Sequence, residues 1–127
     1  MLLDDISDYI ATLGYGVPVQ KGFFQEIPDT VIALRETGGF VSEHIMGDQK
    51  GVLDQPTIQV VTRSKDYQSC MILCRTLHLA LDGLRATVLN NVTYHFVKAL
   101  QPPFFLQRDH NNRFECAFNI HVQRSVT

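Results

Sequence analysis

The chain has 127 residues, of which 45% are hydrophobic and 19% are charged, which is the size and mix of one globular domain covering residues 1–127. The formal net charge of -2 at pH 7 argues against a protein that binds nucleic acid or membranes through bulk positive charge. No apolar run approaches the roughly 20 residues that span a bilayer, and the acidic start does not fit a secretory signal. We therefore expect a protein made in the cytoplasm, with its three cysteines as reduced thiols.

The two halves of the chain differ in charge. Residues 1–54 carry three basic and nine acidic side chains, whereas residues 55–127 carry eight basic and four acidic ones. The halves therefore have net charges of -6 and +4. One interpretation is scatter in a short chain whose halves interleave in space. The other is a polar molecule suited to head-to-tail self-association, in which an acidic surface meets a basic one.

The first predicted elements are a helix and two strands. Apolar residues recur at helical spacing over 3–13, acids lie in the early turns, and Gly14 supplies a stop. The β-prone runs Val19–Phe24 and Thr30–Glu36 follow, separated by the turn signal around Pro28. We expect these two runs to form a hairpin.

A glycine-rich stretch over residues 38–55 has no periodicity and predicts a long loop. Loops of that length in a compact domain are usually functional or disordered. A run of β-branched residues over Thr57–Ser64 predicts the next strand.

The clearest element is a helix over residues 66–82. Asp66 is a good N-cap, apolar residues recur at three- and four-residue steps, and Gly83 ends the pattern. Residues 86–89 fit a short strand or an extended connector, and Asn90 and Asn91 suit a turn with positive φ.

The chain ends with two long predicted strands, Val92–Leu100 and Arg113–Gln123. Alternation in the second strand places its apolar residues on one face. Pro102 interrupts ladder pairing and predicts a bulge or an edge, and residues 109–112 make the reversal. The order of elements predicts an α+β fold: a largely antiparallel sheet of about four to six strands, two helices packed on one face and the long loop at about 38–55.

The residues give little support for catalysis or cofactor chemistry. Cys70, Cys74 and His78 lie four residues apart on the long helix and Cys116 could approach them, which is a possible soft-metal site. The alternative is that these cysteines act as small hydrophobes within the apolar stripe. The serines lack a nucleophile-elbow frame, the histidines are scattered singly, and the glycines match no phosphate-binding loop. We predict no enzyme, no cofactor and no metal.

A basic surface beside two aromatic residues, Phe104 and Phe105, has two interpretations. It could bind an anion, or it could be a set of solvated charges at strand ends; an RNA-binding strand signature is missing. Phe40 shares the loop or turn context of these aromatics and is a candidate contact residue. The basic residues are Arg63, Lys65, Arg108, Arg113 and Arg124.

As a whole, the chain resembles the small minor capsid and tail terminator (tail completion) proteins of long-tailed bacteriophages with noncontractile tails. Four stretches that together span nearly the full length carry this likeness through their order and spacing. They are Leu3–Ile6 with Tyr9, Ile10, Leu13 and Gly14; Pro28–Leu34 followed by Glu36–Gly39; Pro56–Val60 running through Arg63 to Asp66 and Tyr67; and Pro102 and Phe104–Leu106 with Arg108 and Asp109 before a Phe-rich final strand.

The resemblance implies a nonenzymatic virion protein on the head-proximal end of the tail. It would form a ring, expected to be a hexamer, that stops polymerisation of the tail tube protein and docks the head-tail connector or head completion protein. Double-stranded DNA would pass through the ring without sequence-specific binding, and no membrane is involved. The rival interpretations are another neck component, such as a head completion protein, and a small ligand-binding domain or enzyme.

The candidate interface residues come from the long loop and the region around residues 104–113. We further hypothesise that residues 38–54 are mobile in the free subunit and order against the tube, the connector or a neighbouring subunit. The interface candidates are Gly38, Gly39, Phe40, His44, Lys50, Phe104, Phe105, Arg108 and Arg113.

Overall fold

The computed structural model describes residues 2–22, 24–26, 28–38, 43–44 and 52–126, with the backbone alone at residues 43, 44, 52, 53 and 126. Within these residues the chain forms two helices and nine strands. In chain order they are α1 (Leu2–Thr12), β1 (Val19–Lys21), β2 (Val31–Glu36), β3 (Glu43–His44), β4 (Val52–Asp54), β5 (Thr57–Ser64), α2 (Tyr67–Leu81), β6 (Leu84–Leu89), β7 (Val92–Ala99), β8 (Phe104–Arg108) and β9 (Phe114–Val126). The α+β class predicted from the order of elements is confirmed.

The nine strands form one sheet whose centre is β9. β5 and β4 follow each other along one side of β9, and β8 and β7 share the other side. Because β3 likewise continues the line of β2, the sheet has six rows, which corresponds to the four to six strands expected from the sequence. All pairings are antiparallel except that of β1 with β2.

The parallel pairing of β1 and β2 corrects the predicted hairpin. Val19 pairs with Ile32 and Lys21 with Leu34, so both strands run in the same direction. The chain leaves β1 at Gly22, which has a φ of +100°, and passes over one face of the sheet before β2 begins. We call the described residues 24–26 and 28–30 the crossing segment. The turn signal around Pro28 therefore lies within this crossing rather than at the tip of a hairpin.

The segment predicted as a long loop contains two short strands. β3 pairs with β4, and β4 pairs in turn with the end of β9. β4 lies in line with β5 because the carbonyl of Pro56 accepts the amide of Val122 and keeps the ladder continuous.

Both helices pack on one face of the sheet, as predicted. α1 contributes Ile6 and Ile10 to the core, and α2 contributes its apolar stripe, including Leu77 and Leu81. Asp66 caps α2 by accepting the amide of Ser69 at 3.0 Å, as the sequence indicated. Neither described helix is long and apolar enough to cross a membrane.

The other face of the sheet has a smaller apolar cluster. Ala33, Val61 and Ala117 are fully buried there, covered by Phe24 from the crossing segment and by Phe104 from β8. The conformation of the β6–β7 turn is also as predicted, because its two asparagines have φ values of 50° and 66°.

Candidate interaction surfaces

Two buried arginines hold the crossing segment between β1 and β2 against the sheet. Arg63 donates to the carbonyls of Gln25 and Pro28 at 2.7 and 2.6 Å, and its guanidinium lies 4.6 Å from the centre of the Phe24 ring. Backbone carbonyls are the main partners of this cation, so the segment that bonds to it is fixed in position.

Arg113 is the second of these arginines, and its side chain is 3% exposed. Its Nε donates to Asp109 at 2.7 Å, and its Nη1 donates to the carbonyl of Glu26 and to Asp29 at 3.3 Å. Burial disfavours the charge of Asp109, but the hydrogen bonds from Arg113 outweigh this and lower its pKa. Lys65 lowers the pKa of Asp29 through a hydrogen bond and its charge.

The predicted interface residues of this region therefore differ in how accessible they are to a partner. Arg113 has an intramolecular role in the structure, and its part in contacts between subunits stays a prediction. Phe104 is half-buried against the smaller apolar cluster, whereas Phe105 and Arg108 are exposed.

Of the loop candidates, Gly38 is described and has a φ of +86°, a conformation that favours glycine. His44 lies in β3, and its side chain is outside the described residues. Gly39, Phe40 and Lys50 also lie outside the described residues, as does most of the segment hypothesised to be mobile.

An aromatic cluster lies where the start of α2 meets β8 and β9. Tyr67 and Phe105 are 45% and 44% exposed, with ring centres 5.8 Å apart, and both rings contact Phe114. The guanidinium of Arg108 lies 4.9 Å from the centre of the Phe114 ring. We call these four residues the aromatic knob.

An acidic pocket of about 240 Å³ lies between α1 and the β6–β7 turn. The exposed Asp8 accepts the Asn90 amide at 3.0 Å, while the buried Asp5 accepts from Asn90 and from the Tyr94 hydroxyl. Val88, which is 63% exposed, supplies an apolar wall. We use the name acidic pocket for the lining residues Asp5, Asp8, Tyr9, Thr12, Val88, Leu89 and Asn90.

Tyr67, Asp8 and Val88 were not predicted to belong to an interaction surface. Tyr67 lies three residues before Cys70, so helical spacing places it in line with the apolar stripe of α2 and gives no signal that its ring is 45% exposed. Asp8 and Val88 are 80 positions apart in sequence, and only the tertiary fold brings them to one pocket.

The cysteines predicted as either metal ligands or core residues are fully buried in the core. Cys70 Sγ donates to the carbonyls of Thr62 and Phe114 at 3.3 Å. No group of three or more potential ligands that could hold a metal ion occurs among the described residues.

A pocket of about 630 Å³ lies at the opposite end of the sheet from the aromatic knob. Beside it His95 Nε2 lies 2.6 Å from the Ser125 hydroxyl. Ser125 is the next-to-last residue of β9 rather than part of a sharp turn, and no carboxylate orients the His95 ring in the described part of the chain. The pair therefore lacks the third member and the frame of a nucleophilic triad.

A family model described as bacteriophage tail terminator protein matches residues 9–126. The chain belongs to the bacteriophage tail terminator family. This confirms the resemblance found in the sequence and makes this tail terminator a structural component of the phage tail. A comparison with curated protein sequences finds no match. The match starts within α1 and ends in β9, so it includes the aromatic knob, the crossing segment and most of the acidic pocket.

Proposed function

We propose that this chain forms a ring, expected to be a hexamer, on the head-proximal end of the phage tail tube. The ring ends polymerisation of the tube protein and provides the surface to which the head connector or a head completion protein binds. Duplex DNA passes through its centre without sequence-specific contacts. The match to the tail terminator family over residues 9–126 carries this proposal.

The described surface is compatible with a role in binding rather than catalysis. Exposed large apolar side chains are present on α2, at the β6–β7 hairpin and in the aromatic knob, with Leu79 79% exposed and Ile72 58% exposed. The exposed rings of Tyr67 and Phe105 contact each other, and clustered exposed apolar surface of this kind is typical of interaction sites.

Polymerisation of purified tube protein tests the proposal. We expect tubes grown with the chain to be shorter than tubes grown without it and to carry a ring at one end in electron micrographs. Tubes of unchanged length with bare ends would contradict the proposal.

Sedimentation with isolated tubes and with isolated DNA-filled heads separates a tail terminator from a head completion protein. A tail terminator binds tubes in the absence of heads. Binding to heads but not to tubes would favour the other neck component.

A further inference from the structure

The aromatic knob combines exposed aromatic surface with a cation, Arg108, that has no acidic partner within the described residues. Arg108 bonds only to the Asn112 side chain at 3.3 Å and forms no ion pair among the described residues. By contrast, Arg113 and Arg124 are paired with carboxylates. Aromatic residues and arginine are the types enriched at the energetic centre of protein interfaces.

The acidic pocket has the complementary features. Asp8 is exposed and accepts a hydrogen bond from the neutral amide of Asn90. The charge of Lys21 also acts on it, but the Lys21 ammonium forms its ion pair with Asp4, and Asp8 forms no ion pair in the described part of the chain. Cavities of about 150 Å³ are known to hold a benzene ring, so a pocket of about 240 Å³ has room for one aromatic side chain. Val88 and Leu89 supply apolar contact for such a ring.

The aromatic knob and the acidic pocket lie at opposite ends of β9. Arg108 pairs with Phe114 at the start of that strand, and Tyr94, beside the pocket, pairs with Arg124 ten residues later. At a rise of about 3.3 Å per residue this is roughly 33 Å along the strand. One copy therefore cannot fill its own pocket, whereas a neighbouring copy can.

The edges of the sheet are poor alternatives for self-association. Among the described strands, β1, β3, β6 and β8 each pair with a single neighbour. β1 has three residues and β3 has two, and the register of β8 against β9 shifts between Phe105 and Gln107. β6 is irregular at Ala86, which has a φ of +49°. Arg85 and Thr87 on either side of it pair with β7, but Ala86 does not take part in this ladder. Short or irregular edge strands are a common protection against edge-to-edge pairing.

We propose that the aromatic knob of one subunit binds the acidic pocket of the next, with Phe105 entering the pocket and Arg108 pairing with Asp8. This inference rests on the proposed ring, because a contact between two different surfaces continues from subunit to subunit until a rotation closes it.

Charge reversal tests this contact in the purified chain, with native mass spectrometry and sedimentation as measurements. Arg108→Glu and Asp8→Arg each place like charges together, and we expect each to weaken self-association roughly tenfold or more. Combining both changes in one chain restores opposite charges and should restore association.

Mixing the two single variants gives an independent result. In an alternating assembly every contact again joins opposite charges, so the equimolar mixture should associate although neither variant does so alone. Arg75→Glu, a matched reversal on the exposed surface of α2, should leave association unchanged. Circular dichroism and thermal unfolding verify that each variant is folded.

Three results would overturn the inference: wild-type chain that stays monomeric at high concentration, single variants that associate normally, or no recovery in the double variant and the mixture. These results are distinguishable from failure of the proposed function. Variants that form normal rings and still shorten tubes would refute the knob-and-pocket contact alone, whereas wild-type rings that do not shorten tubes would refute the terminator role.

Discussion

The three cysteines lie in the core between α2, which carries Cys70 and Cys74, and β9, which carries Cys116, and charge is unfavourable there. Burial raises the pKa of Cys74 and of Cys116 to about 12, and the Cys70 thiol donates to two backbone carbonyls. Because the thiolate is the reactive form, these side chains are expected to be inert in the folded protein.

Reaction with a chromogenic thiol reagent tests this expectation. We predict that all three thiols of native protein react slowly, at a rate limited by opening of the structure, and that all three react at once in denaturant. The denatured sample is the control for the number of free thiols. Rapid modification of a native thiol would show that the core around α2 is open.

Arg113 connects two parts of the chain that are distant in sequence. Replacing Arg113 with alanine removes the main cationic partner of Asp109 and the hydrogen bond to the carbonyl of Glu26. We predict a loss of about 3 kcal/mol in the free energy of unfolding, measured by urea denaturation. Arg108→Ala is the matched control, with a loss below about 1 kcal/mol, since it removes an exposed cation–π contact and one exposed hydrogen bond to Asn112. Equal losses in both variants would contradict the structural role of Arg113.

Four carboxyl groups make stability depend on acidic pH. Hydrogen bonds and positive charge lower the pKa of these groups below the ordinary value of 3.8; they are Asp4, Asp29, Asp66 and Asp109. A carboxyl group with a lowered pKa stabilises the fold above its unfolded pKa, and this stabilisation is lost as the pH falls through the folded pKa.

The free energy of unfolding should therefore hold steady above about pH 5 and fall below about pH 4. Urea denaturation over this range measures it. Asp109→Asn removes one of the four groups and should make the decline less steep. A free energy that does not change on acidification would rule out these interactions as a source of stability.

At the scale of elements, α2 depends on its N-cap. The Asp66 carboxylate accepts both the amide and the hydroxyl of Ser69 at the first turn. We predict that Asp66→Ala lowers the free energy of unfolding by about 1 kcal/mol and that Asp66→Asn retains most of it. Gln68→Ala, on the same exposed turn, is the control, with a change within about 0.5 kcal/mol. Urea denaturation distinguishes the three variants.

Elements with strong local signals could be predicted from the sequence. Both helices, β5, β7 and β9 have clear periodicity or β-branched composition, and their bounds agree with the structure to within a few residues. The direction of β1 could not be predicted, because alternation of apolar residues is the same for parallel and antiparallel partners. β3 and β4 have two and three residues, too few to show a period.

The candidate interaction surfaces were less predictable than the fold. The sequence pointed to residues 104–113, and Phe105 and Arg108 are exposed there. The burial of Arg113 had no local signal, since the Glu26 carbonyl that it binds lies 87 residues away. The acidic pocket likewise depends on contacts between α1 and a turn at the far end of the chain.

For the whole molecule, the charge difference between the two halves is partly neutralised within the fold. Asp29 of the acidic half pairs with Lys65 and Arg113 of the basic half, and Asp54 pairs with Arg124. This agrees with interleaving of the two halves in space. The proposed head-to-tail contact therefore depends on two individual charges, Arg108 and Asp8, that form no ion pair within the described ranges, rather than on the net charge of either half.

The segment between β2 and β4 can be changed to test a function of the molecule without changing the stability of its fold. Its base is tied to the sheet, because the amide of Thr37 donates to the Thr57 carbonyl and their hydroxyls lie 2.6 Å apart. The described core lies in the helices and the longer strands. Replacing residues 39–51 with a short Gly-Ser linker should therefore change the free energy of unfolding by less than about 1 kcal/mol.

The same replacement should block joining of heads to tails if the segment contacts the tube, the connector or a neighbouring subunit. Complementation of a phage that lacks the gene, scored by infectious particles and electron microscopy, measures this step. A variant with residues 39–51 scrambled at constant length separates the need for these side chains from the need for chain length. Normal infectious particles from the replacement variant would show that the segment is dispensable, and the contacts would then have to come from surfaces such as the aromatic knob and the acidic pocket.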